Sequence, residues 1–387
     1  MTIAGVIAEY NPFHNGHLHH LRETRRASGC DGMAVCLAGN FTQRGEAAVL
    51  SKWTRARMAL LCGADVVFEL PALFAVRTAD FFARGGVGVL AGLGCDVLSF
   101  GCETDDMALL AKLAALREDE PEEISRETRR RLDAGMSHAR ARGEAVAAYL
   151  GLPAKTLNAP NLALAVEYVR CLRHTATRPL AIRRLGDYHD GTLSHICSAT
   201  AVRRALAAGE DVSQAVPAAC LPLLPAKPRL PLDMAILYRL RQGGLSLPDA
   251  GEGLDGLLVR AARESGTLDE AIDCAKSRRY TRARIARAAA HAAAGLTAEL
   301  AGKYAQPPYT RLLGLRAGAE PVLRELSRRA KLPIVSDPAR LRGDECFALE
   351  CRFTDLWALG AADSAGRRAG QEFTRPFVRV EAARTDM

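Results

Sequence analysis

The sequence contains no apolar run that approaches the ~20 residues of a membrane-spanning helix, because charged residues or glycines interrupt every candidate. The N-terminus also lacks the basic segment that precedes the apolar core of a secretory signal peptide. These two absences predict a protein that is neither anchored in a membrane nor exported. We therefore expect a cytoplasmic location.

Cysteine pairs with metal-binding or redox spacing are also missing. None of the eleven cysteines forms a CxxC pair, and the closest two, Cys346 and Cys351, have no histidine near them in the sequence. An odd number of cysteines without paired spacing is not typical of a zinc ribbon or a secreted disulfide framework. The sequence predicts reduced thiols and no bound metal.

Excess basic charge is concentrated in one half of the chain. The formal net charge is +8, and seven of the eight surplus positive charges lie in residues 201–387. A basic half joined to a near-neutral half indicates that one part carries out chemistry while the other contacts a polyanion such as nucleic acid. Solvated faces of arginine-rich helices would give the same charge, so both interpretations stay open.

Short apolar runs alternate with amphipathic stretches in the first part of the chain. Buried parallel strands are predicted at 3–8, 33–38, 65–70, 96–100 and 180–185. The helical patterns around the first four strands lie at 15–28, 50–62 and 78–92. This order predicts an α/β fold with a doubly wound, Rossmann-like sheet.

A proline-rich segment divides the chain. Residues 216–232 carry five prolines, which predicts a stiff linker without regular structure. Residues 1–215 are then the catalytic α/β domain, and residues 233–387 are a mainly helical domain with one short strand at 332–335. The surplus basic charge makes the helical domain the candidate for nucleic-acid binding.

The strongest functional signal lies where the first predicted strand meets the first predicted helix. Four of the nine histidines fall within residues 14–20. A helix N-terminus at the carboxyl edge of a parallel sheet is an anion site, where His14 and His17 can donate hydrogen bonds to phosphate oxygens. Gly16 indicates a close approach of the backbone to another group. The alternatives are a structural histidine pair and a metal site, for which Glu9 is the only neighbouring carboxylate.

The pattern His-x-Gly-His after a strand resembles the nucleotidylyltransferase superfamily. The strings GVIAEYNPFHNGHLHHL and GNFTQRGEAAVLSKWTRARMALLCGADVVFELP resemble one branch of it, the tRNA(Met) cytidine acetate ligase family. Further similar strings, such as IRRLGDYHD, SATAVRRAL and RRYTRARIARAAAH, extend over both halves. The resemblance implies an AMP-forming ligase that uses ATP to activate acetate as acetyl-adenylate. It then implies acetyl transfer to N4 of the wobble cytidine of elongator tRNA(Met), giving N4-acetylcytidine, and the chemistry leads us to expect Mg²⁺ with ATP.

The resemblance also implies site residues. His14 and His17 would be the catalytic pair on the phosphates. The ATP-binding residues would be Ile7, Ala8, Glu9, Tyr10, Asn11, Pro12, Phe13, His14, Asn15, Gly16, His17, Leu18, His19, His20, Gly101, Asn161 and Arg184. The alternatives are that Asn161 is only a helix cap, Arg184 only a surface strand residue and Gly101 only a turn glycine.

Other segments near the predicted cleft carry weaker signals. Residues 198–203 occupy the place of the superfamily's second phosphate motif. Residues 43–46, Ser51 and Lys52 are predicted to line the side of the cleft where the acceptor substrate binds. Lys52 equally fits a solvated helix residue. The chain departs from the family pattern at Leu162, where a second asparagine is usual, and at 137–140, where an aromatic-Pro-Lys string is usual.

The densest basic run lies at 278–287. At helical spacing Arg279, Arg282 and Arg287 fall on one side, and Tyr280 could stack on a base or pack in the interior. We predict a tRNA-binding surface here, with a solvated helix face as the alternative.

Two other functions remain compatible with these features. One is an adenylyltransferase that acts on a small phosphorylated cofactor precursor, and the long basic second half counts against it. The other is a tRNA-binding module with a vestigial nucleotide site, and the intact His-x-Gly-His counts against that. The sequence carries no signal for an oligomeric state.

Overall fold

The computed structural model describes residues 1–153, 157, 159–185, 193–251, 253–277 and 279–381. Residues 382–387 lie outside these ranges, as do Arg278 and the end of the family-like string at 182–190. Among the described residues, no helix is both long and apolar enough to cross a bilayer.

Within the described residues, eight strands form one sheet: β1 (Ile3–Ala8), β2 (Gly32–Ala38), β3 (Val66–Leu70), β4 (Val97–Cys102), β5 (Arg178–Arg183), β6 (Thr310–Arg316), β7 (Ile334–Val335) and β8 (Val378–Val380). The helices of the first half are α1 (Asn15–Ser28), α2 (Lys52–Leu61), α3 (Ala72–Ala75), α4 (Ala79–Gly92), α5 (Met107–Glu118), α6 (Glu122–Asp133), α7 (His138–Tyr149), α8 (Pro160–Leu172) and α9 (Ala199–Ala208). Those of the second half are α10 (Asp233–Gln242), α11 (Leu254–Glu264), α12 (Leu268–Ala275), α13 (Arg282–Ala294), α14 (Ala298–Gly302), α15 (Glu320–Arg329), α16 (Glu345–Ala358) and α17 (Gln371–Thr374).

The topology of the sheet creates a binding position. The strand order is β5-β4-β1-β2-β3-β6-β7, with β8 paired to β6. The first five strands are mutually parallel, and the order reverses between β1 and β4. In open α/β sheets, ligands bind at such a switch point, outside the carboxyl ends of the strands. The predicted α/β doubly wound fold is confirmed.

The central strands are apolar throughout because both faces of the sheet are covered. Successive side chains of a strand point to opposite faces. Cys36 and Phe68 accordingly pack in one layer of the core, and their neighbours Val35 and Val67 pack in the other. This is the reason why these strands were visible in the sequence as continuous apolar runs.

Strands from the second half extend the same sheet. β6 pairs antiparallel with β3, and β7 and β8 both pair with β6. β7 corresponds to the short strand predicted at 332–335, whereas β6 and β8 were not predicted. Helices α10 to α13 enclose a separate small core. The division at 216–232 stays a prediction, to which the structure adds that strands beyond it complete the sheet of the first domain.

The proline-rich segment contains a regular element. A 3-10 helix spans Ala218–Leu223 with Pro222 inside it. Its Cys220 is buried, and the Sγ atom lies 3.5 Å from Sγ of Cys62, which directly follows α2. The expectation of no regular structure here is therefore wrong, because a short 3-10 turn is a common connector and this one is held against α2. All eleven cysteines are free.

A buried ion cluster joins the two halves of the chain. The Lys52 ammonium lies 2.9 Å from Glu350 Oε1 and 2.6 Å from Glu372 Oε1, and it also pairs with Glu69. Arg311 on β6 pairs with Glu69 and Glu372. All five side chains are buried. Both expectations for Lys52, a cleft residue or a solvated helix residue, are therefore wrong.

The same cluster resembles a metal site in its spacing. In the part of the chain that the structure describes, Glu69, Glu350 and Glu372 are the one group of ligand-type side chains close enough to hold a metal ion. The Lys52 ammonium pairs with all three carboxylates and supplies the positive charge that an ion would bring. We assign the cluster to the stability of the fold.

Candidate active site

A cleft of about 370 Å³ opens at the carboxyl edge of the sheet, at the switch point between β1 and β4. Its walls come from the segment after β1, the ends of β4 and β5, and the first turns of α1, α4, α8 and α9. The first N–H groups of a helix lack partners within the helix and carry partial positive charge. Four helix starts around one cavity therefore suit a polyphosphate ligand.

His14 and His17 cap α1 reciprocally. Nδ1 of His14 accepts the N–H of Gly16 at 3.1 Å, and Nδ1 of His17 accepts the N–H of His14 at 3.3 Å. The two rings stack with their centroids 3.7 Å apart. Because each Nδ1 accepts a hydrogen bond, each neutral imidazole carries its proton on Nε2. The pair thus offers two N–H donors at the wall of the cleft.

The surroundings keep both imidazoles neutral. Burial, together with the charges of Arg184 and Arg203, lowers the pKa of His14 to about 3. Burial, His14 and Arg184 hold the pKa of His17 well below its ordinary value. At neutral pH the histidines therefore act as uncharged donors, and the two arginines supply the positive charge beside them.

Gly16 is required by the position of the His14 ring. A Cβ atom at residue 16 would lie 2.9 Å from Cε1 and 3.0 Å from Nδ1 of His14. Contacts this short force a neighbour to move, and here the neighbour is the imidazole itself. The group that the backbone approaches at Gly16 is therefore a histidine of the same motif.

Most of the predicted ATP-binding residues lie at the wall of the cleft. Those that line it are Ile7, Ala8, Glu9, Tyr10, Asn11, His14, Gly16, His17, His19, His20, Gly101, Asn161 and Arg184. Pro12, Phe13, Asn15 and Leu18 do not line it. Phe13 is buried in the core, and the Asn15 amide donates to the carbonyls of His195 and Gln214. These residues hold the loop in place, and the contact of the others with ATP stays a prediction.

The three predicted residues outside the histidine segment have defined partners. Gly101 precedes the last residue of β4, and a Cβ there would lie 3.4 Å from Cγ of Arg184. Arg184 follows β5 directly. The amide of Asn161 donates to Glu103 Oε1 at 2.7 Å. Asn161 thus braces the loop after β4 as well as lining the cleft.

Arg203 is a cleft residue that was outside the predicted ATP-binding set, although it is the basic residue of the motif at 198–203. Its guanidinium donates to the Asn11 carbonyl at 2.9 Å and to Thr200 Oγ1 at 3.2 Å. Ser198 caps α9, with its hydroxyl accepting the N–H of Ala201 at 3.2 Å. The motif at 198–203 indicates a helix start with hydroxyls and a basic residue, and the fold adds that this residue, Arg203, contacts the histidine loop.

The arginines of the predicted tRNA surface do not share one helix face. Helix α13 begins at Arg282, so Arg279 precedes the helix and helical spacing does not apply to it. Arg282 forms ion pairs with two aspartates of α12, whereas Nη1 of Arg287 donates to the carbonyl of Gln43 at 3.4 Å. Tyr280 is buried in the core of α10 to α13. The predicted common face is therefore wrong, although tRNA binding by individual arginines stays a prediction.

Comparison with known proteins gives matches over nearly the whole chain. The family of HIGH nucleotidyl transferases matches residues 1–372. A tRNA(Met) cytidine acetate ligase of Syntrophotalea carbinolica is 39% identical over 88% of this chain and 86% of that protein. One of Syntrophomonas wolfei is 34% identical over 97% of this chain and 98% of that protein.

Two solved structures of Thermotoga maritima TmcAL resemble the fold closely. The apo form superposes with a TM-score of 0.90 at 28% identity, covering 99% of this chain and all of that one. The form bound with alpha-thio ATP superposes with a TM-score of 0.89 at the same identity and coverage. The similarity thus includes the strands and helices that build the cleft.

Proposed function

Because the chain belongs to the tRNA(Met) cytidine acetate ligase family of HIGH nucleotidyl transferases, we propose that it activates acetate with ATP and acetylates a tRNA. The reaction joins acetate to N4 of the wobble cytidine of elongator tRNA(Met) and releases AMP and diphosphate. The observation that carries this function is the pair of neutral Nε2–H donors at the start of α1. Because its substrate is a tRNA, we propose that the protein acts in the cytoplasm.

The first step needs positioning and charge stabilisation more than a nucleophilic side chain. A carboxylate oxygen of acetate attacks the α-phosphorus of ATP, and diphosphate leaves. Negative charge builds up on the phosphate oxygens, where His14 and His17 donate hydrogen bonds and Arg184 and Arg203 provide positive charge. The product, acetyl-adenylate, stays in the cleft until the cytidine amine displaces AMP.

We propose that Mg²⁺ enters with ATP. The cleft wall is rich in donors and cations, and Glu9 and Glu46 are the only carboxylates that line it among the residues the structure describes. Mg²⁺ often keeps several waters and takes many of its ligands from substrate phosphates. Such a donor set fits an ion carried by the nucleotide rather than one held by a protein cage.

Gly16→Ala should lower activation at least about tenfold, because the new Cβ displaces the His14 ring from its donor position. The measurement is acetate-dependent exchange of labelled diphosphate into ATP, with circular dichroism to confirm the fold. Gly302→Ala is the matched control, since a Cβ there meets no atom within 4 Å. Equal exchange rates for the two variants would contradict the packing argument.

The experiment that tests the function combines ATP, Mg²⁺ and labelled acetate with an elongator tRNA(Met) transcript. A transcript with uridine at the wobble position is the control, because it lacks the amine. We expect label only in the cytidine transcript, with AMP released. Diphosphate exchange without transfer would indicate a different acceptor, and the absence of both would favour the adenylyltransferase that acts on a cofactor precursor.

We propose that tRNA binds the surface around Arg279 and Arg282, which are both exposed. Replacing both with alanine should weaken tRNA binding and reduce the slope of log K against log salt by about 1 to 2. Arg328→Ala is the control, because α15 packs at Gly32, at the amino end of β2 and away from the cleft. An unchanged salt slope in the double variant would leave these arginines as solvated surface residues.

A further inference from the structure

The transfer step requires a proton acceptor, and this requirement rests on the proposed function. The N4 amine of cytidine attacks the carbonyl carbon of acetyl-adenylate, so that an N–C bond forms and the bond to the AMP oxygen breaks. The nitrogen must lose one proton as the amide forms. A general base at the cleft wall would accept this proton and hold the amine in position.

The histidines of the motif are poorly suited to accept that proton. In His14 and His17 the Nδ1 atoms already accept backbone N–H groups, and Nε2 carries the proton. Nε2 of His20 lies 3.0 Å from Ser99 Oγ on β4 and is directed into the protein. Glu46 is a half-exposed carboxylate that lies 3.7 Å from Arg203.

Glu9 has the position and the support that a base needs. It directly follows β1 at the switch point and lines the cleft. Its Oε1 accepts the N–H of Gln43 at 2.6 Å, and its backbone carbonyl accepts a hydrogen bond from the buried Arg55 at 2.6 Å. The Gln43 N–H thus holds one carboxylate oxygen and Arg55 holds the main chain, while Oε2 has no protein donor among the described contacts.

The charged groups around Glu9 act in opposite directions. Burial raises the pKa of the Glu9 carboxyl, whereas the hydrogen bond from Gln43 and the charges of Arg55 on α2, Arg44 on the neighbouring loop and Arg203 on α9 lower it. Tyr168 on α8 is buried near Glu9. The negative charge of Glu9, together with burial, raises the pKa of the Tyr168 phenol. A carboxyl whose pKa is raised is a better base than an exposed one.

We propose that Glu9 accepts a hydrogen bond from the N4 amine of the target cytidine and takes its proton during acetyl transfer. The carbon–oxygen bond to AMP breaks with its electron pair on the phosphate oxygen. The proton passes from nitrogen to the Glu9 carboxylate and later to water. The same hydrogen bond selects an acceptor that carries an exocyclic amine.

Glu9→Gln separates this role from nucleotide binding, because the amide keeps the hydrogen bond from Gln43 but is not a base. Single-turnover transfer to tRNA should fall at least about 100-fold, and at least about tenfold more than acetate-dependent diphosphate exchange, which reports any loss of nucleotide binding in the same variant. The native transfer rate should rise with pH through one ionisation that is absent from the variant. Glu9→Asp, which keeps the carboxylate at a greater distance, should restore part of the rate and the ionisation.

Three results would overturn the proposal. Transfer by Glu9→Gln at the native rate would exclude a base at this residue. Parallel loss of exchange and transfer in a folded Glu9→Gln variant would place Glu9 in the nucleotide site. Loss of the ionisation in His19→Gln or Glu46→Gln would assign the base to that residue. If the native protein shows neither exchange nor transfer, the proposed function itself fails, and the Glu9 role fails with it.

Discussion

Replacing His17 with alanine is expected to lower acetyl-adenylate formation at least about 100-fold. The change removes one of the two Nε2–H donors and also the acceptor of the His14 N–H. Since the other ring is stacked on it at 3.7 Å, His14 loses part of its support as well. Transition-state charge on the α-phosphate would then be stabilised mainly by Arg184 and Arg203.

The measurement for His17→Ala is acetate-dependent diphosphate exchange, with tRNA affinity determined in parallel. tRNA binding should stay close to native, because the histidines lie within the cleft and not on the basic surface. His174→Ala, whose side chain is 80% exposed beyond the end of α8, is the control and should exchange at the native rate. Near-native exchange by His17→Ala would remove the phosphate assignment of the histidine pair.

Lys52→Met is expected to cost about 3–5 kcal/mol of unfolding free energy, the range found when one partner of a buried ion pair is removed. Burial by itself would lower the pKa of Lys52, but Glu350, Glu372 and Glu69 together raise it, so that the ammonium stays charged. Without it, Arg311 still pairs with Glu69 and Glu372, but Glu350 has no ion-pair partner left among the described residues. Urea denaturation should show the loss as a lower midpoint.

Glu69→Gln is the matched control for the cluster. Burial and the charge of Glu350 raise the pKa of Glu69 to about 8, so a neutral glutamine is better tolerated at this position than at a carboxylate of ordinary pKa. Its cost should be clearly smaller than that of Lys52→Met. Between pH 4.5 and 8 the folded state binds a proton that the unfolded state lacks, so stability falls as pH rises; Glu69→Gln should flatten this slope. Equal costs for the two variants would contradict the assigned charges.

The elements of the first half were predictable because their signals are local. The first helix was predicted at 15–28 and spans Asn15–Ser28, since His14 caps its start and Gly29 ends it in a left-handed conformation. The buried strands form continuous apolar runs that only a doubly covered sheet requires. The histidine loop was found for the same reason, as a cluster of one residue type at one strand–helix junction.

Residues whose role depends on distant partners were not predictable. Lys52 and Arg311 are residue types that usually lie on the surface. Lys52 is buried because Glu350 and Glu372, more than 200 residues away in the sequence, pair with it in the fold. Strand β6, which pairs with β3, contains Arg311. This charged residue interrupts the apolar run, so the strand was not predicted. The basic run was placed on one helix face because its N-cap, immediately before Arg282, could not be located from spacing.

The sequence by itself determined the parallel sheet, the position of the histidine pair that we propose binds phosphate and, by resemblance, the family. Periodicity and short motifs carry this information because each depends only on residues close together in the sequence. Only the tertiary structure decided that Arg203 joins the histidine loop, that Glu9 is held by Gln43 and Arg55, and that a buried lysine ties the two halves together. Such contacts depend on which side chains meet after the chain has closed, and a buried charge is stable only where its partners arrive with it.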